Sequence, residues 1–153
     1  MNIRILASGI MRDPLFKNLY DEYKKRLNVL KISLIEFDDK NLSQSNINKK
    51  ILESIDAKSY LIMLDERGKN LSTNQLLLEF KKGADLCNNK IDILIGGADG
   101  FLHDYFNEAL GNKQILKISF GSITLPHMLA RIILIEQIYR METIIKNHPY
   151  HRN

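Results

Sequence analysis

The sequence predicts an α/β fold, a mostly parallel sheet flanked by helices, in a single domain over residues 1–153. Three observations carry that expectation. Short apolar runs of strand length recur along the chain, and YLIML (60–64) and IDILI (91–95) are apolar nearly throughout, as strands covered on both faces are. Between the runs lie longer stretches with helical spacing, so strand and helix alternate as in parallel sheets joined by crossovers. The chain has no internal repeat, low-complexity run or Pro/Gly/Ser linker, and its 153 residues suffice for one proper core.

Each element has its own signal. Ile3–Ala7 is the first strand, closed by Ser8-Gly9. Asp13-Pro14 opens a helix, with Asp as N-cap and Pro in the first turn. Its apolar residues Leu15, Leu19, Tyr23 and Leu27 step by four and are expected to form one buried stripe. Ile32–Phe37 is the second strand, and a polar loop, DDKNLSQSN, leads to a short helix carrying Ile47, Ile51 and Ile55. Tyr60–Leu64 is the third strand, with Asp65–Lys69 as its loop. Ser72 and Gln75 make a capping box that starts the helix Leu76–Leu86. Ile91–Ile95 is the fourth strand and ends on GGADG (96–100); a short helix and a fifth strand, Ile115–Phe120, follow.

The last helix, His127–Ile145, is apolar on nearly all sides, through Leu129, Ile132, Ile133, Leu134, Ile135, Ile138, Met141, Ile144 and Ile145. Such a helix is buried all round. In a domain this small one face meets the sheet, and the other most simply meets a second copy. A homodimer built partly on this helix is therefore expected.

Composition excludes more than it selects. A net charge of +4 permits an acidic partner such as nucleic acid without requiring one. The basic residues fall in small groups (Lys24-Lys25-Arg26, Lys49-Lys50, Lys81-Lys82, and Arg140, Lys146 and Arg152) that read singly as solvated helix faces. Cys87 is the only cysteine, which excludes an internal disulfide and a multi-cysteine zinc site and suits a reducing, cytoplasmic compartment. No apolar run approaches the roughly 20 residues that span a bilayer. The start MNIRILASGIMRD has no sustained apolar region, so neither membrane insertion nor a signal peptide is expected.

In open α/β sheets ligands bind beyond the carboxyl ends of the strands. The loops at that edge are Leu64–Lys69, Gly96–Gly100 and Phe120–Pro126. The glycine loop is neither G-x-G-x-x-G nor followed by G-K-[ST], which disfavours dinucleotide binding and nucleotide hydrolysis. The stretch FGSITLPH (120–127) offers backbone groups, two hydroxyls and an apolar lining, which suits a neutral, adenosine-like ligand held by main-chain hydrogen bonds. Both loops also read as ordinary strand-to-helix turns. Glu136 and Arg140, four apart, form either a partly buried structural ion pair or part of a site. His127, His148 and His151 have no carboxylate at ligand spacing, so no metal is expected. The tail NHPYHRN concentrates Pro149, Tyr150, two histidines and Arg152 where chain ends are ordinarily dull.

Four motifs, LDERGKNLS (64–72), LIGGADG (94–100), ITLPHMLARIILIEQIYR (123–140) and NHPYHR (147–152), closely resemble the ribosomal RNA large-subunit methyltransferase H family, RlmH, of the SPOUT class. The resemblance runs the whole length and is looser in the first third, where Gly9-Ile10 stands in place of the Gly-Lys of many members. It implies a homodimer that transfers methyl from S-adenosylmethionine to N3 of a pseudouridine in 23S ribosomal RNA, on the assembled ribosome. It also implies a C-terminal trefoil knot, an exception to the rule that chains do not knot. Matched by motif, the cofactor would touch Leu64, Gly96, Gly97, Phe120, Gly121, Ser122, Ile123, Thr124 and Leu125. The substrate-facing and catalytic groups would be His127, Glu136, Arg140, Tyr150 and Arg152. The alternatives are a non-catalytic ribosome-binding assembly factor and a SPOUT methyltransferase acting on another RNA base. The last helix rises about 28 Å at ~1.5 Å per residue, and the eight residues after it just span that length when fully extended. Active sites shared between subunits are therefore expected.

Overall fold

Five strands, β1 (Asn2–Ser8), β2 (Lys31–Phe37), β3 (Tyr60–Asn70), β4 (Lys90–Ile95) and β5 (Ile115–Ser119), pair only in parallel, in the order β2-β1-β4-β3-β5. The helices between them are α1 (Pro14–Arg26), α2 (Gln44–Ser54), α3 (Thr73–Leu86) and α4 (His103–Leu110), and α5 (His127–Ile145) ends the series. The structure, a computed structural model, describes residues 1–97, 100–101, 103–111 and 113–147.

Alternation along the strands builds two cores. Ile3, Ile5, Ala7, Ile62, Ile91, Ile93 and Ile95 point to one face, where they meet Tyr20, Phe80, Leu134, Ile135, Ile138 and Met141. Leu6, Leu61, Met63 and Leu94 point to the other and meet Ile47, Ile51, Phe101 and Phe106. The helix starts behave as their sequences require. Asp13 accepts a hydrogen bond from the Leu15 amide at 2.8 Å, and Ser72 with Gln75 forms the reciprocal capping box. No helix among the described residues is long and apolar enough to cross a membrane.

Two expectations need correction. The stripe of α1 is not Leu15–Leu19–Tyr23–Leu27: Leu15 is 79% and Leu19 45% exposed. The residues on the core are Phe16, Tyr20, Tyr23 and Leu27. Steps of four overshoot a 3.6-residue turn by about 40° each, so the earlier residues drift off the face that Leu27 shares. The second correction is that Asp65–Lys69 is not simply a loop. β3 continues to Asn70, with Leu64 and Lys69 both registered on Ile118 of β5. Pairing with β4 stops at Leu64, so beyond it β3 has β5 as its neighbour and its residues are polar.

α5 carries charges inside the fold. Glu142, 1% exposed, accepts from the amides of Asn28 (2.9 Å), Val29 (3.0 Å) and Leu30 (2.8 Å) and from Lys146, and so fixes the turn between α1 and β2. Burial pushes its carboxyl up, but the three amides and Lys146 outweigh burial and hold it below the ordinary value. The stabilisation is therefore present above the unfolded carboxyl pKa of about 4.3 and is lost as pH falls through the lower folded value. Glu142→Gln is expected to cost about 1–3 kcal/mol at pH 7. Urea unfolding should show that difference shrinking as pH is lowered past 4, and a difference independent of pH would exclude this role for the carboxylate.

Candidate active site

The carboxyl ends of β3, β4 and β5 open onto a cleft of about 280 Å³. Its walls are the β3 excursion from Leu64 to Arg67, the β4 end Ile95-Gly96-Gly97 with Gly100 and Phe101, and the β5 end Ile118–Phe120 with Ile123–Leu125. His127 and Ala130, from the first turn of α5, close it. Seven of the nine residues matched to cofactor contacts (Leu64, Gly96, Gly97, Phe120, Ile123, Thr124 and Leu125) line this cleft. Gly121 and Ser122 belong to the same loop but not to the wall.

Local sequence explains how the walls hold. Gly121 has φ +124°, a conformation open to glycine, and the Ser119 hydroxyl bonds both its backbone groups, accepting from its N–H at 3.2 Å and donating to its carbonyl at 2.5 Å. Gly96 packs so closely that a Cβ there would stand 2.9 Å from the Gly100 backbone, and the Gly100 amide bonds the Gly97 carbonyl at 3.1 Å. Gly68 lets β3 return to β5, since a Cβ there would lie 2.5 Å from the Ile118 main chain. Across the mouth, the Thr124 hydroxyl donates to the Glu66 carboxylate at 3.1 Å and ties two walls together.

The remaining matched residues divide. His127 lines the cleft. Glu136 and Arg140 do not: they follow along α5, the first roughly 13 Å beyond His127 at ~1.5 Å per residue. They do form the expected pair, with Arg140 donating from Nε (3.1 Å) and Nη2 (3.0 Å) to Glu136 Oε1, while Gln137 donates to Glu136 Oε2 at 2.6 Å. Tyr150 and Arg152, with His148 and His151, lie outside the described residues.

Sequence reasoning passed over a polar cluster behind the cleft. Arg131, wholly buried, donates to Glu36 at 2.7 Å, to the Gly9 carbonyl at 2.9 Å and to the Ser8 carbonyl. Glu36 also accepts from the Met11 amide at 2.7 Å, so the guanidinium and carboxylate clamp the end of β1 and the turn after it. Asp39 accepts from the Ser8 hydroxyl at 3.3 Å. Burial pushes the His127 imidazole below its ordinary pKa and the Arg131 charge adds to this, while Asp39 pulls it up. The net direction is downward, which leaves the ring neutral at pH 7. A signal for part of this cluster was present: an arginine inside the apolar run LARIILI needs a buried partner.

A family model described as "Predicted SPOUT methyltransferase" matches residues 1–151. The ribosomal RNA large subunit methyltransferase H proteins of Mycoplasmopsis synoviae, Clostridioides difficile and Carboxydothermus hydrogenoformans are 38%, 37% and 35% identical, over 99% of this chain and 100% of each relative. Among solved structures, a ribosomal RNA small subunit methyltransferase E from Neisseria gonorrhoeae bound to S-adenosyl methionine aligns with a TM-score of 0.54 at 10% identity, covering 94% of this chain and 66% of that one. A probable methylase family protein from Haemophilus influenzae aligns with a TM-score of 0.53 at 14% identity, covering 99% and 70%. These two likenesses are of fold; the sequence relatives are full-length. The chain belongs to the SPOUT methyltransferases and, among them, to the ribosomal RNA large subunit methyltransferase H family.

Proposed function

We propose that the protein is a homodimer that methylates N3 of a pseudouridine in 23S ribosomal RNA of the assembled ribosome, using S-adenosylmethionine. The observation that carries this reading is the cleft, in which loops from three strand ends and His127 of α5 converge. Its chemistry fits the cofactor. Leu64, Ile95, Ile118, Phe120 and Leu125 offer apolar walls for an adenine, the main chain at 96–97 and 120–125 offers hydrogen bonds, and Glu66 offers a carboxylate at the mouth. The cofactor, when bound, supplies an electrophilic methyl on a cationic sulfur.

What remains for the protein is positioning and proton transfer. The N3 proton of the base must leave as the methyl arrives. His127, on the cleft wall and with a lowered pKa, and Tyr150 are the two candidates to accept it. Arg140 and Arg152 would stabilise the negative charge that builds on the base. Leu15 and Leu19 on α1 and Leu129 on α5, all at least 40% exposed on two helices that pack together, support a face for a second copy. The return of α5 from the edge strand β5 to α1 and β4 supports the trefoil threading of the family.

Two measurements test the reading. Calorimetry with S-adenosylmethionine is expected to show binding that Gly96→Val weakens at least tenfold, because a branched side chain would displace the Gly100 backbone that stands in the cleft wall. Mass spectrometry of ribosomal RNA from cells lacking the protein should show one methyl lost from a pseudouridine. A missing mark on another base would move the substrate and spare the chemistry; no cofactor binding at all would leave a non-catalytic assembly factor.

A further inference from the structure

We propose that Asp39 is a positioning residue for His127, acting across the bare α-carbon of Gly9. The proposal rests on the reading of His127 as the group that faces the reacting base. Gly9 has φ +81°, and a Cβ built there would stand 3.2 Å from Asp39 Oδ2, 3.3 Å from His127 Nε2 and 3.7 Å from Arg131 Nη2. Three charged or titratable groups, one from the loop after β2 and two from α5, thus close around one point that only a missing side chain leaves open. The same carboxylate lies behind the cleft wall, because a Cβ on Gly97 would stand 2.9 Å from Ser8 Oγ and 3.6 Å from Asp39 Oδ2. His127 and Gly97 line the cleft and Asp39 does not, so Asp39 would act on the chemistry through the imidazole.

Among the described residues, Asp39 is the anion whose charge favours a proton on His127, and it faces Arg131 as well. Arg131, on α5, gives its guanidinium to Glu36 of β2 and to the Ser8 and Gly9 carbonyls, with Tyr20 of α1 and Asp39 also facing it. Asp65, Glu66 and Arg67 stand on the β3 wall of the cleft, and β1 and the described part of the β4 turn bring Ser8, Gly9 and Gly97, which carry no charge. When the ring takes up a proton, the imidazolium forms between Arg131, which opposes it, and Asp39, which favours it. Asp39 is itself held by the Ser8 hydroxyl, so its charge is fixed in place before the proton moves.

The test reads the imidazole directly. In the cofactor-free protein, proton–carbon NMR should resolve the His127 ring, assigned by its disappearance in His127→Gln, and follow its titration. Asp39→Asn is expected to lower the His127 pKa by about half a unit or more. It should also lower kcat about tenfold or more, move the acid limb of the rate profile to lower pH and leave the KM for S-adenosylmethionine unchanged. Asp39→Glu should recover part of both effects. A folded Asp39→Asn protein with an unmoved imidazole pKa and acid limb would overturn the proposal. If His127→Gln methylates at the wild-type rate, the reading of His127 falls and the catalytic sense of the pairing with it. If His127→Gln is impaired and Asp39→Asn is not, the role of Asp39 alone falls.

Discussion

Arg131→Ala is expected to lower the free energy of unfolding by about 3–5 kcal/mol, the cost of removing one partner of a buried ion pair. Arg131 is fully buried, and its loss takes donors from the Ser8 and Gly9 carbonyls and from Glu36 in one step. Glu36, only 24% exposed, would keep the Met11 amide but no countercharge. The cavity left by the side chain adds to the loss, since core packing relaxes only in part. Glu36→Gln should cost less, because the amide oxygen still accepts from Met11 and Arg131 keeps its two carbonyls. Arg131→Lys should fall between, with the charge retained and the forked geometry gone. Urea unfolding followed by circular dichroism ranks the three. An Arg131→Ala protein within 1 kcal/mol of wild type would mean that the end of β1 is held by packing alone.

What sequence could and could not show follows from distance along the chain. The bounds of α5, 127–145, the capping box at Ser72 and the Asp13 cap are local signals, and each is found where its residues lie. The three strand ends that make the cleft follow from a topological rule, so the loops at 64, 96 and 120 were legible before any contact was seen. The buried charges were not. Arg131 meets Glu36 across 95 residues, Glu142 meets Leu30 across 112, and Arg4 meets Asp92 across 88. Nothing in the spacing of the chain joins these pairs; only the folded sheet brings them together. The stripe of α1 departs from its expectation for a different reason: Leu15 and Leu19 are as apolar as the residues that are buried, and only the turn of the helix decides that Phe16 and Tyr20 face the core instead. Among the residues matched to chemistry, Leu64 and Gly96 follow from the strand-end rule, whereas Tyr150 and Arg152 rest on the family motif.

Removing residues 148–153 is expected to leave a folded chain that binds S-adenosylmethionine and methylates at least about a hundredfold more slowly, because the loss is of positioning at the reacting base. Among the described residues, the cleft is walled by β3, β4, β5 and the first turn of α5. α5 then carries the chain away from it: 19 residues at ~1.5 Å each put Ile145 about 28 Å from the cleft end. Tyr150 follows Ile145 by five residues, which reach at most ~17 Å when fully extended. An arm of that reach is shorter than α5 is long, so a tail turning back along its own helix is expected to stop before its own cleft. In a two-fold dimer with the α5 helices antiparallel, the same tail would end beside the partner's cleft. Mixing tests this geometry. Tyr150→Ala and Gly96→Val homodimers should each be inactive, while heterodimers combine the intact cleft of the first with the intact tail of the second. With random exchange at equal concentration, half of the dimers are mixed and each has one complete site, so about a quarter of wild-type activity should return. A mixture as inactive as its parents would place the whole site within one chain and require α5 or the tail to leave the path its length implies. A truncated protein that still methylates at the full rate would remove the tail from the chemistry and leave His127 as the group nearest the reacting base.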